Sequence, residues 1–135
     1  MDMPPTTPLD GVPVCVETAA SRYQIPLRAM IALWMTEGGK IGQSVSNTNG
    51  TADHGPFQIN DVWIETMQRH GYSRELLTNN FCASAMAAAW ILRTEINRAN
   101  GDFWVGVGNY HSRTPKYHLR YIQKVYANSE MIDAK

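Results

Sequence analysis

Excess charge of either sign is missing from this chain of 135 residues. Twelve basic side chains meet twelve acidic ones, so there is no electrostatic footprint for nucleic acid or an anionic membrane surface. Long hydrophobic runs are missing too: no apolar stretch approaches the ~20 residues needed to cross a bilayer, and no membrane insertion is expected. The four histidines, His54, His70, His111 and His118, show no metal-ligand spacing such as His-Glu-x-x-His, so neither a metal nor another cofactor is expected. There is no glycine-rich phosphate loop and no nucleophile elbow. The opening MDMPPTTPLDGVP has no positive start and no apolar stretch, and does not read as a secretory signal. Cysteine is scarce, with only Cys15 and Cys82. The pair is compatible with one disulfide, worth about 4 kcal/mol in the chain-entropy picture. It is equally compatible with two buried thiols acting as small hydrophobes, and counting leaves both open.

What is present suits one hydrophobic core: 44% of residues are hydrophobic and 18% charged. Residues 1–13 read as a loose Pro/Thr-rich lead-in, 14–128 as the folded domain and 129–135 as a tail. Val14 to Tyr23 suits a short helix. Leu27 to Glu37 forms a second behind Pro26, with Leu27, Met30, Ile31 and Trp34 as its buried stripe and Gly38–Gly39 as its stop. The stretch Ser44 to Gly55 is dense in turn residues, and Asn49–Gly50 signals a small hairpin. Asn60 or Asp61 caps a helix through Val62, Trp63 and Met67, and Ser73 opens another short turn. Asn79 or Asn80 starts the clearest helix, Phe81 to about Asn100, which Gly101 closes. Asp102 caps a segment toward Tyr110, and Pro115 begins the last helix, with Tyr121, Ile122 and Val125 inward. That gives roughly six helices and at most one hairpin, an α+β fold that is mostly α. The basic cluster Arg113, Lys116, Arg120 and Lys124 reads as a solvated helix face.

Glu37 is out of keeping with its surroundings. It follows Leu33 by four residues and Trp34 by three, so it continues the apolar side of its helix. Partial burial disfavours the charged form and raises a carboxyl pKa, and the negative end of the helix acts in the same direction. A carboxylic acid still protonated near neutral pH is what general-acid attack on a glycosidic oxygen requires. The following glycines leave room for a bulky ligand. Trp34, Trp63, Trp90 and Trp104 fit the core by helical spacing, with one free to stack on a sugar ring.

The segment NTNGTADHGPFQIN, Asn47 to Asn60, resembles the stretch that follows the catalytic acid in C-type lysozymes. The rest of the chain is similar to the specialised lytic transglycosylases of secretion, conjugation and pilus machines. That likeness is carried by an early Cys with AASRYQIP, the MTEGG helix end, a later Cys before AAAWILRTEI, then FWVGVGNYHS and a terminal RYIQKVY. The resemblance implies a lysozyme-like fold with a small β-hairpin. It also implies cleavage of the β-1,4 bond between N-acetylmuramic acid and N-acetylglucosamine, with a 1,6-anhydro product. The substrate would be peptidoglycan glycan strands in the periplasm, with any leader absent from this sequence, and the partner a component of such a machine. By the same resemblance Glu37 is the catalytic acid, and Gly55, Phe57, Gln58 and Ile59 fall on a motif that contacts sugar and shapes the groove. Tyr110 falls on a tyrosine that hydrogen-bonds the acid, His54 and His111 occupy motif positions at the groove, and Cys15 and Cys82 pair. Three departures stand out: Gly38 replaces the usual Ser, Pro56–Phe57 replace Leu-Met, and His111 replaces Asn.

Asp53 divides the chemistry. Two carboxylates about 5 Å apart serve a retaining hydrolase, and by resemblance to C-type lysozymes Asp53 falls on the second. A transglycosylase works with Glu37 alone, helped by the substrate's own N-acetyl group. Asp53 is expected to assist by stabilising developing positive charge; the plainer reading is a turn aspartate satisfying backbone N–H groups. The alternatives are therefore a muramidase using Glu37 with Asp53, and a catalytically silent glycan-binding assembly module.

Overall fold

The computed structural model describes residues 11–132; residues 1–10 of the expected lead-in and 133–135 of the expected tail lie outside them. Seven α-helices and a three-stranded sheet make up the described residues, the mostly α architecture expected of a lysozyme-like fold. Helix α1 spans Val14–Arg22 and buries Val16, Ala19 and Ala20, the i, i+3, i+4 face of a surface helix. Helix α2 spans Leu27–Glu37 and buries Ala29 through Leu33 without a break, so it runs through the core rather than over it. Its buried stripe is thus wider than expected, while Leu27 and Trp34 pack only partly buried against it.

Local chemistry sets the ends of the other helices. The 3-10 turn Asp61–Trp63 is capped by Asn60, whose side chain accepts from Val62 N–H, and leads into α3, Ile64–Arg69. Ser73 caps α4, Arg74–Asn79; Asn80 caps α5, Phe81–Arg98; Asp102 caps α6, Phe103–His111. Each cap satisfies an N–H that has no partner within its helix, typically worth ~1 kcal/mol. Pro115 starts α7, which continues to Met131, past the domain edge expected at 128.

Helix α5 packs against α1, α4 and α6, while α7 lies across α2 and α6. The Cys15–Cys82 disulfide joins the first turns of α1 and α5 with 5.5 Å between Cα atoms. Tyr121, Val125 and Ser129 recur every four residues on the buried face of α7. Two side-chain bonds tie that face to α2: Arg28 donates to Ser129 O (3.0 Å), and Asn128 Nδ2 donates to Thr36 Oγ1 (2.8 Å).

Strands β1 (Ser44–Ser46), β2 (Ala52–His54) and β3 (Ile59–Asn60) form an antiparallel sheet in that order, with Asp53 opposite both Val45 and Asn60. The β1–β2 turn holds Asn49–Gly50 as expected, fixed by Thr51 N–H and Oγ1 donating to Asn49 Oδ1. The third strand exceeds the single hairpin expected. It follows a tight turn in which Gln58 N–H donates to Gly55 O (3.0 Å). A Cβ on Gly39 would come within 2.1 Å of Gly55 O, so only glycine lets the end of α2 lie against this turn.

Candidate active site

Glu37 is the last residue of α2, and Gly38 caps that helix in the left-handed conformation at φ 61°. The chain turns away there and leaves the partly buried carboxyl facing a cavity of about 640 Å³. Burial raises the Glu37 pKa from an ordinary 4.5 to about 7, and the nearby Asp53 charge adds to the rise. A hydrogen bond from the Tyr121 hydroxyl to Glu37 Oε2 opposes it, as does the positive charge of Lys124. The net result is a carboxyl balanced between acid and base near neutral pH.

Asp53 lines the same cavity from β2, and its Oδ1 accepts a hydrogen bond from Asn60 Nδ2 (2.8 Å) on β3. Strand alternation sends the next residue the other way. His54 is buried 4% exposed: its Nε2–H donates to Asp61 (2.7 Å), and Ser44 Oγ lies 2.8 Å from Nδ1. His54 therefore braces the sheet against Asp61, which its hydrogen bond holds below the usual carboxylate range. This corrects the expectation that it lines the groove.

Four motif residues expected at the groove divide in the same way. Gln58 lines the cavity, with Nε2 donating to Gly55 O (3.0 Å). Gly55, Phe57 and Ile59 are buried and take no part in the lining. Phe57 sits in an aromatic cluster, its ring centroid 6.3 Å from Trp34 and 5.8 Å from Phe81. These residues support the floor of the cavity from beneath, because an apolar ring gains more from the core than from a wet groove.

Tyr110 also lines the cavity, but its hydroxyl donates to Phe57 O at 2.9 Å. The acid's partner is Tyr121 of α7, not Tyr110. Burial first, then the charges of Glu37 and Asp53, hold the Tyr110 hydroxyl well above its ordinary pKa, so it stays protonated. His111 stands on the cavity wall and stacks on Tyr121, with centroids 4.6 Å apart and planes 11° apart. Desolvation lowers the His111 pKa, against the opposing pull of Asp53.

Beyond the expected set, the structure adds Tyr121, Asn60 and a buried glutamate paired with two exposed arginines. Glu95 is 4% exposed yet lines the cavity; Arg113 contacts it at 2.6 Å and Arg98 at 3.5 Å. Arg98 lies 5.5 Å from the Trp63 ring centroid. A sequence signal for Glu95 existed, since it is the only charge on the buried face Ala88, Ile91, Leu92, Ile96 of α5. Among the described residues no three His, Cys, Asp or Glu side chains gather as a metal would require, and no helix is long and apolar enough to cross a membrane.

The family model described as Transglycosylase SLT domain matches residues 14–131. The chain belongs to the transglycosylase SLT family. Two relatives of similar sequence carry the name Protein IpgF. That of Shigella flexneri is 34% identical over 117 residues, covering 83% of this chain and 76% of the relative. That of Shigella sonnei is 35% identical over 118 residues, with the same coverage. Membership in this SLT family makes the chain one of the lytic transglycosylase type, with peptidoglycan as its class of substrate. The SLT match begins at the first residue of α1 and ends at the last of α7, so it takes in every helix described above.

Proposed function

We propose that the protein cleaves peptidoglycan between N-acetylmuramic acid and N-acetylglucosamine without adding water, with Glu37 as both acid and base. The observation that carries this is one carboxyl, poised at a pKa of about 7, facing a cavity of about 640 Å³. Protonated Glu37 gives its proton to the glycosidic oxygen, and the C1–O bond breaks. Positive charge develops at C1, where the carbonyl of the substrate's own N-acetyl group and the Asp53 carboxylate stabilise it. Ionised Glu37 then removes the proton from the C6 hydroxyl of the same sugar, whose oxygen closes on C1. The product is a 1,6-anhydro sugar, no water is consumed, and Glu37 ends protonated as it began. Tyr121 donates to one carboxyl oxygen and so fixes which way the other presents its proton.

The place of action this reading assigns is the periplasm, in keeping with the disulfide between Cys15 and Cys82. Its resemblance to specialised transglycosylases points to making local openings for a secretion, conjugation or pilus machine. A second reading, hydrolysis as a muramidase, is favoured by one observation: Asp53 faces the same cavity as Glu37 and its charge is felt there. Digestion of purified peptidoglycan by wild type and Glu37→Gln, read by mass spectrometry, separates the two. Anhydro-muropeptides from wild type alone support the transglycosylase, and reducing-end products transfer the assignment to the hydrolase. Equal behaviour of the two proteins, in the digest and in the cell, would leave a silent glycan-binding assembly module.

A further inference from the structure

A second cavity, of about 440 Å³, lies between the C-terminal ends of α1 and α3 and the middle of α5. It shares no lining residue with the cavity at Glu37. Trp63 lines the first and Trp90 the second, and these two indoles meet edge to face with centroids 5.8 Å apart. Half-buried Tyr23, Tyr72 and Trp90 wall the second cavity together with exposed His70, and buried Met67 and Ala87 give it an apolar base.

The walls are held in place. Tyr23 follows α1 in a turn where Gln24 takes the left-handed conformation at φ 56°, a strained setting for any residue but glycine. Arg93 of α5 holds that turn by donating to Tyr23 O (3.0 Å) and Gln24 O (2.8 Å). Tyr72 N–H donates to Met67 O (2.9 Å), and the His70 ring packs on Trp90 with centroids 5.3 Å apart. The polar tips of these rings differ from those at Glu37. There, Tyr110 and Tyr121 direct their hydroxyls to Phe57 O and Glu37. Here, the Tyr23 and Tyr72 hydroxyls, the Trp90 indole N–H and the His70 ring nitrogens meet no hydrogen-bond partner among the described residues.

Apolar ring faces with free polar edges suit a ligand that is apolar on its own faces and hydroxylated around its rim, which describes a pyranose. A wholly apolar ligand would bury those edges without partners. A volume of about 440 Å³ lies within the ~300–1,000 Å³ typical of small-ligand sites and has room for a short saccharide. We propose that this cavity is a second binding site for N-acetylated glycan, separate from the one that cleaves it. The Tyr23, Tyr72 and Trp90 rings lie against the sugar, and the apolar base receives the methyl of its N-acetyl group. The choice of glycan rests on the lytic reading, and the site adds a hold on the strand that leaves the cavity at Glu37 free for cleavage.

The probe is a β-1,4-linked trimer of N-acetylglucosamine, titrated into the protein while two-dimensional NMR follows three groups. The Trp90 indole N–H and the His70 ring report on the second cavity, and the His111 ring reports on the first. Trp90 and His70 should shift together along one saturation curve. Tyr72→Ala should weaken that curve about tenfold, the size of one aromatic contact, and leave the His111 response in place. Tyr72→Phe keeps the packing and should weaken it about threefold through the lost hydroxyl. Trp90 and His70 signals that stay fixed in wild type, or a curve that both substitutions leave unchanged, would overturn the second site. A response to the free peptide of a muropeptide in place of the saccharide would overturn it too. The wild-type titration stands by itself if Tyr72→Ala fails to fold. Product analysis is independent. Saccharide binding at Trp90 without anhydro product from peptidoglycan keeps the second site and sinks the lytic reading, whereas anhydro product without that binding does the reverse.

Discussion

Glu37→Gln makes a test of the acid that requires no substrate. An ordinary carboxyl titrates at 4.5, and in the folded protein Glu37 titrates at about 7. Below pH 4.5 both states hold the proton, and the buried acid costs nothing through ionisation. Between 4.5 and 7 the unfolded chain ionises first, so stability falls as pH rises; above 7 both states are ionised and the loss is complete. The gap of about 2.5 units, at 1.36 kcal/mol each, sets the loss at about 3 kcal/mol. Glutamine keeps the shape and a carbonyl for the Tyr121 hydroxyl but has nothing to ionise. Urea unfolding at steps from pH 4 to 8, with the disulfide intact, should therefore show wild type losing about 3 kcal/mol relative to Glu37→Gln. By domain size the same difference is on the order of 10 °C in melting temperature. Two stability curves that run parallel across this range would mean that Glu37 is not held protonated, and the argument for the acid would fail.

Activity and stability supply the remaining tests. Tyr121→Phe removes the hydrogen bond that favours ionised Glu37, a bond of ~1.5–3 kcal/mol to a charged group. The basic limb of the kcat/KM pH profile should move up by about one unit, and a limb that stays or falls would refute the role. Asp53→Asn keeps the acceptor for Asn60 but removes the charge that raises Glu37, so the limb should move down. The same variant should lose most activity with normal melting, and full activity would reduce Asp53 to a turn residue. Replacing Cys15 and Cys82 together by Ser should cost about 4 kcal/mol in urea unfolding, since the bond closes a loop of 67 residues; a loss under 1 kcal/mol would show the unfolded chain to be little constrained by it.

What was legible in the sequence was what neighbours decide. Asn80, Ser73 and Asp102 each cap a helix through an N–H three residues on, so those starts were readable from the residues themselves. The turn at Asn49–Gly50 is local in the same sense. The partner of Glu37 was not readable, because Tyr121 lies 84 residues away and reaches it only through the packing of α7 on α2. Tyr110 was a reasonable candidate that fell short by the same logic: it borders the cavity, but the Phe57 carbonyl is nearer to hand. His54 could have been placed correctly. Next to Asp53 on a strand it had to face the opposite way, and the two could not both look into one groove.

The poise of Glu37 follows from where its helix ends more than from any one neighbour. Tyr121 and Lys124 lower its pKa, and Asp53 raises it, so the neighbours work partly against one another, and burial is the largest influence of all. Burial in turn depends on the stop at Gly38 and on the approach of Gly39 to Gly55, which draw the sheet up beside the carboxyl. A side chain at Gly39 would push the turn away and let water reach the acid, while Asp53 and Tyr121 stayed in place along the chain. The usual serine after the acid is Gly38 here, and its loss removes a hydroxyl without removing this geometry. The departures at Gly38, Pro56 and His111 thus leave the raised pKa of Glu37 in place. Of the three, only His111 lines the cavity: Pro56 is fully buried, and Gly38 is the helix stop that places the carboxyl.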